Sequence, residues 1–317
     1  MRRMFTFFLT MLLLVCICSC ELSYQAPAVG RMRILVLGND YSYGNLIYYL
    51  NGEQFRINGT PATAGRLYNT VNDATQVREA LSKLAEKAGM DHQSVCLTSI
   101  DDVSETRLVA ELNTLAASSS EHDITIIYYS GHGFGVKAKL PYGYDTSTCS
   151  YIVPRFSERP DASVLFPVSD FLDLVNEIQG VKVVLGDFCY SGSLVQSNNF
   201  SVTSGEYSLL DPATLFFRYR DDICENSSLF CLSASRYMER SYEYTLPSDP
   251  RHGKFTYALL NALGWDEESQ ELAASPVEKG GRITFSELAR YVTRFDGDSK
   301  QTPMLSGGSN DIILFSF

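Results

Sequence analysis

The chain has 317 residues, of which 45% are hydrophobic and 20% charged, a balance that excludes a disordered segment or a solenoid array. Its formal net charge of −11 at pH 7 would repel phosphate backbones, so no nucleic-acid partner is expected. At this length a core can be large enough to need neither a disulfide framework nor a structural metal.

Arg2 and Arg3 precede a short apolar run from Phe5 to Ile17, interrupted only by Thr6, Thr10 and Cys16. Such a run reads as a secretory signal, being short for a membrane span. It ends in Ile17-Cys18-Ser19-Cys20, a string that resembles a bacterial lipobox. The resemblance implies cleavage before Cys20, a lipid on its sulfur, and an exported protein held to a bacterial membrane by that anchor alone. Cys16 and Cys18 follow Val15 and Ile17, which are too large for the small-residue position. An ordinary cleaved signal and an uncleaved anchor are the alternatives. Residues 1–19 are therefore expected to be a signal peptide, 20–31 a tether without periodicity, and 32–317 one mature domain.

Arg33 to Gly38 is an aliphatic run that stops at Gly38-Asn39-Asp40 and reads as a buried first strand. Asn72 to Ala88 carries Ala74, Val77, Leu81, Leu84 and Ala88 at helical spacing. Val95 to Thr98 is a short strand candidate, and Ser104 is placed to cap a helix running to about Ala117. Asp123 to Tyr129 is a second β-branched run, ending at Ser130-Gly131-His132-Gly133. Ser169 is placed to cap a helix over 170–179 that ends at Gly180. Val181 to Gly186 is a third buried strand, leading into Asp187-Phe188-Cys189. The stretch from Gln196 to Arg220 is rich in Ser and Asn and reads mostly as loop. Ser228 to Ala234 is a fourth strand, 255–263 a helix, Ser286 a cap for a helix to Phe295, and Asp311 to Phe317 a terminal strand. Strands that alternate with helices, many of them continuously apolar, predict an α/β fold with a mainly parallel sheet covered on both faces.

In such sheets ligands bind beyond the carboxyl ends of the strands, where two runs deliver reactive residues. One leads to His132 and the other to Cys189. Gly131 and Gly133 are expected to let the chain turn sharply around the imidazole, and Gly192 to do the same beyond the cysteine. A cysteine beside a histidine suits acyl transfer, with the thiolate as nucleophile and the imidazole as its acid–base partner. The backbone N–H groups of Cys189 and Gly133 are candidates for the oxyanion site. Beyond Cys20 lie Cys96, Cys149, Cys189, Cys224 and Cys231, an odd number that leaves at least one thiol unpaired. Cys224 and Cys231 form either a local disulfide or two buried thiols. With no C-x-x-C pair and no zinc spacing among the four histidines, no metal site is expected. His92, His122 and His252 lack supporting context and read as structural or surface residues.

Ser130-Gly131-His132-Gly133 and Asp187-Phe188-Cys189-Tyr190-Ser191-Gly192 resemble the two signature segments of the caspase-like cysteine peptidases, nearest to the metacaspases and their bacterial relatives. Asn72-Asp73-Ala74, Ser233-Ala234-Ser235 followed by Glu239, residues 253–260, residues 283–288 and Gln301-Thr302-Pro303 follow in the same order, so the resemblance covers nearly all of the mature chain. It implies a caspase-like three-layer sandwich with a large-subunit-like part to about residue 200 and a small-subunit-like part from about 221. It implies a Cys189–His132 dyad and a peptide or protein substrate. It also implies a first specificity pocket holding Asp187, Asp73 and Ser130, which predicts cleavage after Arg or Lys through a charge-assisted contact.

Self-processing at Arg218 or Arg220 follows from the same resemblance. No cofactor is required by it. Calcium as an activator is left open with no site assigned, because Asp296-Gly297-Asp298 lacks the Gly and Glu positions of a calcium loop. Neither monomer nor dimer is selected. Phe188 and Tyr190 depart from the smaller or polar residues of many metacaspases, and 142–151 reads as an inserted loop serving as a lid or substrate wall. Two alternatives to a peptidase stand beside this reading: a catalytically silent domain that binds peptides or proteins, and a surface-attached scaffold.

Overall fold

The computed structural model describes residues 30–39, 41, 46–57, 59–98, 103–138, 147–156, 159–196, 228–236, 239–246, 250–295, 301–307 and 311–317. One central sheet is formed by β1 (Met32–Gly38), β2 (His92–Leu97), β3 (Ile124–Ser130), β4 (Val181–Asp187), β5 (Leu229–Ser233) and β6 (Met304–Ser306); β1, β3, β4 and β5 are the expected apolar runs, β2 starts three residues before the expected Val95, and β6 was not expected. Their spatial order is β6-β5-β4-β3-β1-β2. The first five in chain order pair in parallel, and β6 closes one edge antiparallel to β5.

The helices, in chain order, are α1 (Thr70–Lys87), α2 (Glu105–Ser118), α3 (Val168–Asn176), α4 (Lys254–Leu263) and α5 (Phe285–Phe295). Alternation along the strands decides which helices cover which face. Ile34, Val36, Ile126, Tyr128, Val183 and Leu185 pack with the apolar stripes of α1, α4 and α5. Leu35, Leu37, Ile127, Tyr129 and Val184 pack with Leu108 and Leu112 of α2 and with Phe171, Leu172 and Val175 of α3. The expected three-layer α/β sandwich is therefore the observed architecture.

A second, smaller unit sits beside the sheet. Strand Leu46–Leu50 pairs in parallel with Arg159–Val164 and antiparallel with Glu53–Gln54 and Thr63–Ala64. Its own apolar cluster comprises Tyr41, Leu46, Tyr48, Ala62, Ala64, Val153 and Leu165. Of the stretch 142–151, expected as an inserted loop near the histidine, 147–151 lie in the strand Ser147–Ile152, which pairs antiparallel with Gly133–Ala138; 139–146 lie outside the described residues.

One helix start is as expected and three differ. Ser104 caps α2, accepting from Arg107 N at 3.2 Å. Ser169 lies inside α3, whose N-cap is Pro167. Ser286 lies inside α5, whose first turn is held by Thr284 Oγ1, which accepts from Glu287 N at 3.3 Å. Helix α1 begins at Thr70, two residues early, and Asn69 makes no side-chain cap. Glu243 serves instead, accepting from Asn69 N at 3.0 Å and Tyr68 N at 3.2 Å, a carboxylate where the helix end favours negative charge. The terminal strand spans Ile313–Ser316 and pairs with Arg282–Thr284. Cys231 is a free thiol buried in β5, its pKa pushed up to about 12 by burial, which removes the disulfide alternative for it; Cys224 lies outside the described residues. Among the described residues no helix is long and apolar enough to cross a membrane.

Candidate active site

Strands β3 and β4 are neighbours in register, with Ser130 opposite Asp187. The chain leaves both at the same edge, and Gly131 N donates to Asp187 O at 3.2 Å. The two outgoing loops lie against each other: a Cβ on Gly133 would collide with the Cys189 carbonyl oxygen and the Phe188 ring. The glycines flanking His132 thus serve close approach. Neither has a positive φ, contrary to the turn role expected of them. Beyond the cysteine the left-handed residue is Tyr190, with φ 64°, and not Gly192. Tyr190 N donates to Glu239 O at 2.7 Å, which holds this uncommon conformation in place. Gly133→Ala should therefore force the two loops apart. We expect peptidase activity to fall by at least about tenfold, the effect of misplacing reacting groups by an ångström or less, with the melting temperature lowered by a few degrees. Parallel kinetics and thermal melts check this.

The His132 ring is fixed from three sides. Nε2 lies 2.7 Å from Gly65 O; a carbonyl only accepts, so Nε2 carries the proton and Nδ1 the lone pair. The backbone N–H donates to Tyr41 Oη at 2.9 Å, and Tyr129 Oη donates to the His132 carbonyl at 3.1 Å. The Tyr41 ring meets the imidazole edge-on at 4.4 Å. Burial lowers the His132 pKa, and the Gly65 contact only partly offsets this. The Cys189 thiol donates to Ser241 O at 3.7 Å. Burial raises its pKa, with the Ser241 backbone and the Arg240 charge pulling the other way. Both groups therefore rest uncharged near neutral pH.

The carboxylates form a second layer of the site. Asp73 and Asp187 are 1% and 5% exposed, and they flank Gly253, where a Cβ would strike Asp187 Oδ2 and lie 3.3 Å from Asp73 Oδ2. Asp187 Oδ2 accepts from Thr256 Oγ1 at 2.7 Å and Thr256 N at 3.2 Å; Oδ1 accepts from Ser241 Oγ at 2.5 Å. Asp73 accepts from Ser130 Oγ at 2.9 Å and from Gly253 N at 3.2 Å. Its Oδ1 also lies 2.8 Å from Nδ1 of His252. Of the structural and surface readings open to His252, burial selects the structural one: it is 2% exposed, with Nε2 2.9 Å from Glu267 Oε2. Ser241, Thr256, Gly253 and the Gly65 carbonyl were not anticipated. Burial raises the pKa of both acids, Asp73 to about 7.

A cysteine-bearing turn and a histidine-bearing turn thus leave adjacent parallel strands at one edge. The caspase-domain family model matches residues 49–309. The chain belongs to the caspase family of cysteine peptidases. Metacaspase-4 of Arabidopsis thaliana is 29% identical to this caspase domain over 142 residues, 43% of this chain and 32% of the relative. Metacaspase-7 of the same plant is 27% identical over 142 residues, 43% of this chain and 33% of the relative. The matched segment thus spans about a third of the length of these curated relatives. A crystal structure of a Geobacter sulfurreducens protein superposes with a TM-score of 0.53 over 89% of this chain and 95% of that one, at 16% identity, which shows a shared fold. Cys20, Arg218, Arg220 and Asp296 to Asp298 lie outside the described residues.

Proposed function

We propose that the protein is an endopeptidase that cleaves after Arg or Lys, with Cys189 as nucleophile and His132 as acid–base partner. The observation that carries this reading is the Gly65 carbonyl on His132 Nε2, which leaves Nδ1 as the base on a loop packed against the cysteine loop. Nδ1 takes the thiol proton as sulfur attacks the scissile carbonyl carbon. The tetrahedral oxyanion is stabilised by backbone N–H groups, for which Cys189 and Gly133 are the candidates. The C–N bond then breaks, His132 returns the proton to the departing amine, and an acyl-enzyme remains. Water, deprotonated by His132, attacks the thioester and releases the acid and the thiol.

Substrate can bind as an extended strand. Lys254 N donates to Tyr242 O, and Tyr244 N to His252 O, so alternate backbone groups at 241 and 243 point to the opposite side, where the Ser241 carbonyl already meets Cys189. An extended peptide can pair along such an edge. The side chain preceding the cleaved bond would enter beside Asp187 and Asp73, with Ser130 orienting Asp73, and a basic head group gains a charge-assisted contact there. Anchoring through a lipid on Cys20 would place this activity at the surface of a bacterial membrane.

The test is hydrolysis of a matched peptide set carrying Arg, Lys or Asp at the cleaved position. We expect kcat/KM after Arg or Lys to exceed that after Asp by at least about a hundredfold. A preference for Asp would overturn the pocket assignment, and no cleavage of any peptide would overturn the peptidase reading.

A further inference from the structure

His252 is 2% exposed, and both of its ring nitrogens face carboxylates: Asp73 at 2.8 Å and Glu267 at 2.9 Å. A neutral imidazole has one N–H and can donate to only one of them. With both acids ionised, the geometry calls for an imidazolium. Glu267 is anchored for this purpose, its other oxygen accepting from Asn72 Nδ2 of α1 at 3.1 Å. The remaining charged or titratable neighbours are Asp187 on β4, Tyr257 of α4, whose ring stacks on the imidazole at 6.4 Å, and the flanking Arg251 and Lys254. Lys254 is turned away onto the Tyr244 ring, at 5.6 Å, and Arg251 is exposed. Glu243, bridged to Gly253, spends its carboxylate on the N–H groups at the start of α1.

We propose that His252 is a built-in counter-ion of the specificity pocket, and that its fixed positive charge makes recognition of a basic side chain depend on pH. This rests on the reading that Asp73 and Asp187 receive an Arg or Lys side chain. With His252 charged and Asp73, Asp187 and Glu267 ionised, the four groups together carry two negative charges. When Asp73 takes up a proton, one negative charge is left and a cation is held less strongly. Burial lifts Asp73 into the neutral range, to about 7. For His252, burial alone would lower the pKa, but Asp73 and Glu267 more than offset it and the net direction is upward. The pocket therefore carries its full negative charge above about pH 7 and loses one unit of it as pH falls through that value, while His252 stays protonated. Without the imidazolium, two buried acids in one pocket would share a proton and keep one negative charge on both sides of neutrality.

The experiment compares KM for an Arg peptide and for its neutral citrulline counterpart between pH 6 and 8, in the native protein, His252→Gln and Glu267→Gln. Gln keeps a hydrogen bond to Asp73 without the charge, and Glu267, with a side chain 43% exposed, can be altered without disturbing the core. We expect the native KM for Arg to rise about tenfold from pH 8 to 6, as for one ionisation, with citrulline unaffected. In His252→Gln the rise should shrink to less than about twofold, and in Glu267→Gln to an intermediate value. A histidine with only a structural role would alter kcat and KM for both peptides and leave the pH dependence intact, and that result would overturn the proposal. If no basic peptide is cleaved, the peptidase reading fails separately. The pH dependence is then read from benzamidine affinity in Cys189→Ala protein, and the charge of His252 from its side-chain 15N shifts. A neutral imidazole at pH 7 would sink the inference by itself.

Discussion

Cys189→Ala abolishes peptide hydrolysis, and His132→Ala lowers it by at least about 10⁴-fold, the range seen when a member of a nucleophile–base pair is removed. The thiol's described hydrogen bond is a long contact to the Ser241 carbonyl, so its loss should change stability by no more than about 1 kcal/mol, and the Cys189→Ala melting temperature serves as the control. The pH profile carries a further expectation. His132 must be neutral to accept the thiol proton, and burial lowers its pKa. The acid limb of kcat due to His132 therefore lies below the ordinary histidine value of about 6.5. Because burial raises the Cys189 pKa, the resting pair is thiol and imidazole, and proton transfer accompanies attack. A Cys189→Ala protein retaining more than about 1% of the native rate would show that another group is the nucleophile.

Asp187→Asn should lower kcat/KM for Arg peptides by about 30- to 150-fold, equivalent to about 2–3 kcal/mol for a charge-assisted contact, while leaving the fold intact. Asn is close in shape, and its oxygen can accept from Thr256 N and Oγ1 where Asp187 Oδ2 now does. Its amide can donate to the Ser241 hydroxyl, which rotates to accept. No buried partner is orphaned, and the desolvation that raises the Asp187 pKa is relieved, so the melting temperature should hold or rise slightly. Peptides with citrulline at the cleaved position should lose less than about threefold. An equal loss for Arg and citrulline would assign Asp187 to shaping the loop and not to recognising charge.

The four inner strands of the central sheet, β1, β3, β4 and β5, were legible because they are buried almost throughout and read as apolar runs, and α1 and α2 because their apolar residues recur at helical spacing. The smaller sheet was not. Its strands are short and rich in polar residues, as in Glu53–Gln54 and Arg159–Val164, so no period stands out. β6, three residues long, lacks the length for a pattern. Two helix starts were misplaced because the capping groups are not local serines: Thr284 holds α5, and Glu243, far along the chain, holds α1. At the site, Cys189, His132, Asp187, Asp73 and Ser130 are marked by motifs. His252 meets Asp73 across 179 positions of sequence, and the Gly65 carbonyl belongs to the backbone, so neither leaves a trace in residue type or spacing.

The register of β3 against β4 acts as a ruler. Ser130 and Asp187 are cross-strand partners, so the starting points of the histidine and cysteine loops are separated by one inter-strand step of about 4.8 Å, a distance set by backbone hydrogen bonds and not by side chains. A slip of one residue would turn every side chain of the strand to the opposite helical layer, which the two buried cores forbid. Sequence drift in the hairpin after His132, or in 239–246 over the cysteine, can thus remodel the surroundings of both residues without changing the gauge between the strands that carry them.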